Sequence, residues 1–170
     1  MKISAIAALC EKRAALHIDP ESYGEGVIQY IGCGLAAYAI DGMPRLTQDS
    51  ATTLFDIPDE KRQKFTLMEC DIHKFILTGA EEFPITEKGI RIVWLGEEYA
   101  VCHIDGMSGV GALCFNTKYL KPLTTELLDD FYAREQDGLW QIIVKRGIEI
   151  PCGFLPGARG ANHAPADWRL

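Results

Sequence analysis

The sequence predicts an α+β fold, with helices packed on one face of an antiparallel sheet. Three observations carry that expectation. Residues 28–43 ("IQYIGCGLAAYAIDGM") and 92–107 ("IVWLGEEYAVCHIDGM") align without gaps at a fixed offset along the chain. Apolar residues recur at helical spacing in some stretches and alternate in others. Asp41-Gly42 and Asp105-Gly106 are hairpin dipeptides, because both central residues of a type I′ turn take positive φ.

The elements follow in chain order. Ile3, Ile6, Ala7, Cys10 and Ala14 have helical spacing, which predicts an amphipathic helix over 3–16. Residues 19–26 have loop composition. Val27–Ile31 and Leu35–Ile40 read as strands, with a short returning strand at Met43–Leu46. A short helix is expected over Asp56–Phe65, since Pro58 suits a first turn and acidic groups suit its N-terminal end. "TLME" reads as a strand, "CDIHKFILTG" as a helix closed by Gly79, and "AEEFPITEKG" as a connection. Ile90–Leu95 and Tyr99–Ile104 are strands joined at "GEE", and Val110–Phe115 is another. Asn116 is placed to cap a helix within 117–135. Leu139–Lys145 and Ile148–Phe154 form a hairpin about Arg146-Gly147.

The aligned stretches share Ile28/Ile92, Gly32/Gly96, Ala36/Ala100 and the whole "IDGM", and the same offset pairs Phe55 with Tyr119 and Pro58 with Pro122. Turn chemistry explains the Asp and Gly but not the flanking Ile and Met. The reading is two pseudo-symmetric helix–hairpin–helix units of βαβββ type. The first is 1–65 and the second 66–156, continuous with it; 157–170 is a loose C-terminal tail.

Composition narrows function. The formal charge of −7 argues against a protein that coats nucleic acid with most of its surface, though not against one basic face. No apolar run approaches the roughly 18–20 residues that span a bilayer, so no membrane is expected. The apolar start is broken by Glu11, Lys12 and Arg13, unlike a signal peptide, which points to a cytoplasmic chain. The six cysteines are scattered without a CxxC pair and read as small packed hydrophobes. Cys102 and His103 are neighbours on a strand and face opposite ways, so they make no dyad with each other, and Asp105 belongs to the turn. Cys70 and His73 share a helical face but lack the four ligands of a structural zinc site. Glu81-Glu82 and Glu97-Glu98 read as surface charge, and "GMSGVG" lacks the Lys-Ser/Thr of a phosphate loop. No catalytic residue, metal or cofactor is expected.

The second unit continues "VGALCFNTKYLKPLTTELL" and closes with "CGFLPG". Here the chain resembles the DNA polymerase sliding clamp family of the bacterial β-clamp type. The resemblance rests on Phe115, Asn116, Lys118, Tyr119, Leu120 and Leu123 at a strand–helix junction, and on Phe154, Leu155 and Pro156, with Leu155 where the family has methionine. It implies a non-enzymatic, clamp-like replication accessory protein, homo-oligomeric, whose helix-borne cations face duplex DNA phosphates without reading bases. The matching DNA-facing candidates are Lys12, Arg13, Lys61, Arg62, Lys64, Lys74, Lys118 and Lys121. Two other classes fit the residues: an oligomeric α+β protein- or peptide-binding module that does not touch DNA, and a small hydrolase or ligand-binding protein.

Overall fold

The computed structural model describes residues 1–18, 28–40, 42–70, 81–105, 113–123, 129–136, 139–146 and 150–159, the last of these as backbone. Strands dominate: β1 (Arg13–Ile18), β2 (Gln29–Gly32), β3 (Ala37–Ile40), β4 (Thr66–Glu69), β5 (Glu82–Trp94), β6 (Glu97–Ile104), β7 (Leu113–Asn116), β8 (Asp129–Gln136), β9 (Leu139–Arg146) and β10 (Ile150–Arg159). Helices α1 (Ile3–Cys10), α2 (Gln48–Leu54) and α3 (Asp59–Arg62) and a 3₁₀ turn at Thr117–Leu120 complete the described elements. The class is α+β, mostly sheet.

Two strands organise the rest. β5 pairs with β8 over Glu82–Pro84 and with β6 from Ile85 to Trp94, shifting register between Glu87 and Ile90. β10 runs beside β9, and its other edge meets β3 at Phe154 and β7 at Ala158–Arg159. The neighbours β5–β6–β7–β10–β9–β8 therefore close a circuit of antiparallel strands, while β3, β2, β1 and β4 extend the sheet outward from β10. Register irregularities lie in both shared strands, where a bulge adds the twist needed to change neighbours.

One apolar core joins the chain's two halves. It gathers Ile6, Leu16, Ile31, Tyr38, Ala51 and Phe55 with Ile104, Leu113, Phe115, Ala133, Trp140, Ile142 and Val144. Helices α1 and α2 both pack on it. The Tyr38 hydroxyl donates to the Tyr119 carbonyl at 2.8 Å inside this core, so its polar end is satisfied where water is excluded. A second cluster, Tyr30, Ala39 and Ile143 with Ile28, Ala37 and Tyr132 against it, lies on the opposite face of the same sheet. Consecutive residues Ile142, Ile143 and Val144 of β9 are thus all fully buried.

Several expectations are corrected. The helix over 3–16 stops at Cys10: Glu11 takes φ +48°, and β1 starts at Arg13. Ala14, Leu16 and Ile18 alternate as a strand, a pattern overlapped by the helical spacing of Cys10 and Ala14. Among the described residues of 117–135 the expected helix is a 3₁₀ turn, Thr117–Leu120, which Asn116 does cap by accepting from the Lys118 N–H at 3.0 Å; residues 129–136 are β8, and 124–128 lie outside the described residues. Residues 82–89, read as connection, begin β5. Met43–Leu46 is not a strand. Fully buried Gln29 holds it, donating to the Met43 and Pro44 carbonyls and accepting from the Leu46 N–H at 2.7 Å. Helix α2, closed at its start by the Thr47–Ser50 capping box, was not anticipated. The expected helix at 70–79 falls almost wholly outside the described residues, as do the "GMSGVG" stretch and residues 160–170 of the tail; 157–159 belong to β10.

The aligned stretches differ in shape. At the shared offset Ala36, Tyr38 and Ile40 are buried like Ala100, Cys102 and Ile104, but Ile31 is fully buried where Leu95 is 82% exposed. Gly32 is needed because a Cβ there would strike the Ala36 carbonyl, whereas Gly96 is needed for φ +79°. Helix α2 falls opposite residues 112–118, which include β7.

Among the described residues β4 is a sheet edge, pairing in parallel with β1. Gln48 occupies part of its outer side: Nε2 donates to the Phe65 carbonyl at 2.7 Å and Oε1 accepts from the Leu67 N–H at 2.8 Å. This two-bond pattern is what one residue of a neighbouring strand would supply. Gln48→Ala is expected to cost about 1–3 kcal/mol, read by urea denaturation, and to increase concentration-dependent association through the bared edge.

Candidate functional site

The most exposed apolar surface of the described residues is the apex of the β5–β6 hairpin. Val93 is 72% exposed, Trp94 40% and Leu95 82%, with Ile90 also exposed behind them. β7 accompanies β6 only as far as the Asn116–Tyr99 pair, and β8 leaves β5 after Pro84. The tip, residues 93–98, therefore extends past its described strand neighbours.

The turn is Leu95-Gly96, with φ +50° and +79°. Positive φ at both central positions marks a type I′ turn, whose first position favours Asn, Asp or Gly. An L side chain with no polar group pays a local strain there, of order 1 kcal/mol. Leu95 carries both that strain and near-complete exposure. Glu11 and Asp56, the other described non-glycine residues with positive φ, are polar.

Behind the apex lies an aromatic collar and then a charged base. Trp94 and Tyr99 approach with ring centroids 6.3 Å apart, tilted by 60°, as diagonal cross-strand neighbours. Glu97 accepts from Lys118 Nζ at 2.7 Å and from Asn116 Nδ2. The Lys118 hydrogen bond holds the Glu97 carboxyl below its ordinary range and raises Lys118 in return. Arg91 and Glu98 pair at 3.5 Å on the other face of the hairpin, and the Thr117 hydroxyl donates to the Glu98 carbonyl at 3.1 Å. The base thus carries two ion pairs with no net charge, and Thr117 pins it to the body.

The sequence-predicted cations divide into two groups. β1–β4 pairing sets Arg13 opposite Thr66, and the Thr66 N–H donates to the Lys12 carbonyl at 3.0 Å. Lys12, Arg13 and Lys64 thereby meet at one end of the sheet, with Lys61 and Arg62 on α3 just before. Acidic groups interleave: Glu11, Asp56, Asp59 and Glu60 are near in sequence and exposed or partly so, and Arg62 pairs with Asp59 at 3.0 Å. Lys118 and Lys121 lie in the other group, near the start of α1, where the Lys2 N–H donates to the Pro122 carbonyl. The expected helical face is not how these residues are carried. Lys61 and Arg62 are on a helix, Lys118 on the 3₁₀ turn, Lys12 in a turn and Arg13 on a strand. Lys74, Asp41 and Gly106 lie outside the described residues. Gly42 has φ +71°, and Asp105 accepts from the Thr86 hydroxyl at 3.0 Å.

Cys10, Cys102 and Cys114 are packed in the interior. Burial pushes Cys10 up to about 12 and Cys102 up to about 11, so both are neutral near pH 7. Cys102 is buried while His103 is exposed, on opposite faces of β6. No cluster of three or more metal-ligating side chains occurs among the described residues, and no described helix is long and apolar enough to cross a membrane.

Sequence pattern alone places Trp94 and Leu95 together in the strand Ile90–Leu95; only the positive φ at Leu95 marks it as a turn residue. A second unforeseen cluster joins Glu82, Arg134 and Lys145. The Glu82 carboxylate accepts from Arg134, which is nearly fully buried, and from Lys145, whose ammonium also sits 4.9 Å from the Tyr132 ring centre. It ties β5 to β8 and β9 where β5 changes partners, and reads as structural. No family model, curated protein or solved structure matches this chain.

Two measurements test these assignments. Leu95→Asn should raise stability by about 1 kcal/mol, seen as a thermal midpoint about 2–4 °C higher, because Asn tolerates positive φ. Burial pushes the Glu82 carboxyl up, but hydrogen bonds from Lys145 and Arg134 together outweigh it and leave it lowered. Its contribution is therefore full above the ordinary carboxylate value and lost as pH falls through the lower folded value. Glu82→Gln should lower the thermal midpoint at pH 7 and flatten the acid limb of a midpoint-against-pH curve below about pH 4.3.

Proposed function

We propose that this chain is a non-enzymatic interaction module that docks through the β5–β6 apex. One observation carries the reading. The apex places a large apolar side chain at 82% exposure on a positive-φ position, a choice that costs local stability and that turn chemistry does not require. Strain and exposure at one residue, at a turn beyond its described strand neighbours, are what a contact residue needs and a structural residue does not.

A second reading keeps the clamp-like, homo-oligomeric contact with duplex DNA. It is favoured by the meeting of Lys12, Arg13 and Lys64 at one sheet end through β1–β4 pairing. The interleaved carboxylates weaken it, since they repel the phosphates those cations would hold.

The test uses the full chain with a photoreactive phenylalanine at position 93 in the cells that make it. Irradiation is expected to give a discrete adduct that is lost in the Leu95→Asn background and kept with Leu35→Asn, a control at another exposed turn residue. No adduct, or one indifferent to Leu95, would overturn docking through the apex. Fluorescence anisotropy with a labelled duplex separates the second reading: the docking reading expects no binding near physiological salt. Binding that weakens steeply with salt and disappears in Lys64→Glu would favour the clamp-like reading instead.

A further inference from the structure

Resting on the docking reading, we infer that the apex enters a concave apolar pocket on a different protein, not a second copy of this chain and not a lipid surface. Shape is the first argument. Val93, Trp94 and Leu95 form a convex knob on a two-residue turn. Their combined side-chain surface is on the order of 400 Å², about half of what each partner of a stable flat interface contributes. Apex-on-apex contact between two copies would bury too little. A knob of this size binds well only where a pocket closes around it, with a tryptophan as anchor.

Charge is the second argument. The Arg91–Glu98 and Lys118–Glu97 pairs surround the knob at intermediate exposure and cancel. They suit the polar rim of a protein interface, which excludes water from the centre without steering by net charge. The whole chain is −7, which disfavours an anionic bilayer and, at low ionic strength, self-association.

Preorganisation is the third. Main-chain pairing runs to Trp94–Glu97, and the Thr117 hydroxyl ties the Glu98 carbonyl to the body. The knob therefore loses little conformational freedom on entering a rigid receptor. The expected receptor has an aliphatic floor for Leu95 and Val93, a slot for the Trp94 ring, and a rim without net charge.

The experiment identifies the adduct at position 93 by mass spectrometry and then titrates the purified partner with the full chain. The expected result is a different polypeptide, bound at least about tenfold more weakly by Leu95→Asn and changed less than about twofold between about 50 and about 500 mM NaCl. An adduct of twice this chain's mass, with concentration-dependent light scattering lost in Leu95→Asn, would assign the apex to a second copy. Flotation of the wild-type chain, but not Leu95→Asn, with phosphatidylcholine vesicles would assign it to a bilayer. A partner released about tenfold or more by salt would overturn the neutral rim. Absence of any adduct would remove the docking reading itself, not only the identity of its receptor.

Discussion

A strand has two hydrogen-bonding edges, and this molecule is organised by how β5 and β10 use theirs. β5 is held by β8 at one end and by β6 over the rest of its length. β10 keeps β9 beside it while its other edge passes from β3 to β7. These shared strands close the circuit and fasten the outer strands to it. The Glu82–Arg134–Lys145 cluster sits where β5 changes neighbours. A three-residue ladder is a short seam, and a shielded charge-assisted bond adds to it what a few backbone bonds alone would not. Removing one member would leave a buried charge unpaired, which costs more than the pair contributes.

That closure also produces the apex. Because β8 leaves β5 after Pro84 and β7 ends its pairing at Asn116, the far part of the β5–β6 hairpin has no third strand among the described residues. Side chains there cannot reach the core, so residue type at the tip is free to serve something else. The tip holds Val, Trp and Leu, and its charges are paired off around its base. Order within the molecule follows the same gradient: a fully buried Tyr38–Tyr119 bond in the core, half-exposed ion pairs at the hairpin base, and a strained apolar turn at the end.

The polar devices elsewhere have a common logic. Gln29 satisfies a loop that would otherwise bring unpaired carbonyls against the core, and Gln48 satisfies part of an open sheet edge. Each uses a carboxamide because it carries both a donor and acceptors on one planar group, the complement of a peptide unit. They also explain why Met43–Leu46 needs no strand partner and why a short helix precedes β4. None of this is visible in hydropathy, since glutamine reads there only as a polar residue.

Local pattern alone determined a good deal. β2, β3, β6, β7 and β9 were legible because apolar runs between Gly and Asp-Gly signals have few alternatives, and Asn116 was legible as a cap from its side chain. The opposite facing of Cys102 and His103 followed from strand geometry. Tertiary structure decided the rest. β8 is hidden in "DDFYAREQ" because Asp130 and Glu135 are exposed while Arg134 is buried against Glu82, so charge does not track the inward and outward faces of the strand. Helix α1 ends at Cys10 because β1 gains partners on both edges, the following strand β2 and β4 far along the chain. Ile31 and Leu95 occupy equivalent places in two similar strings, yet one is fully buried and the other is the most exposed large apolar residue described. The string specifies a hairpin in each case. Whether its tip is covered depends on which strands lie alongside, and those are chosen by edges and packing far away along the chain.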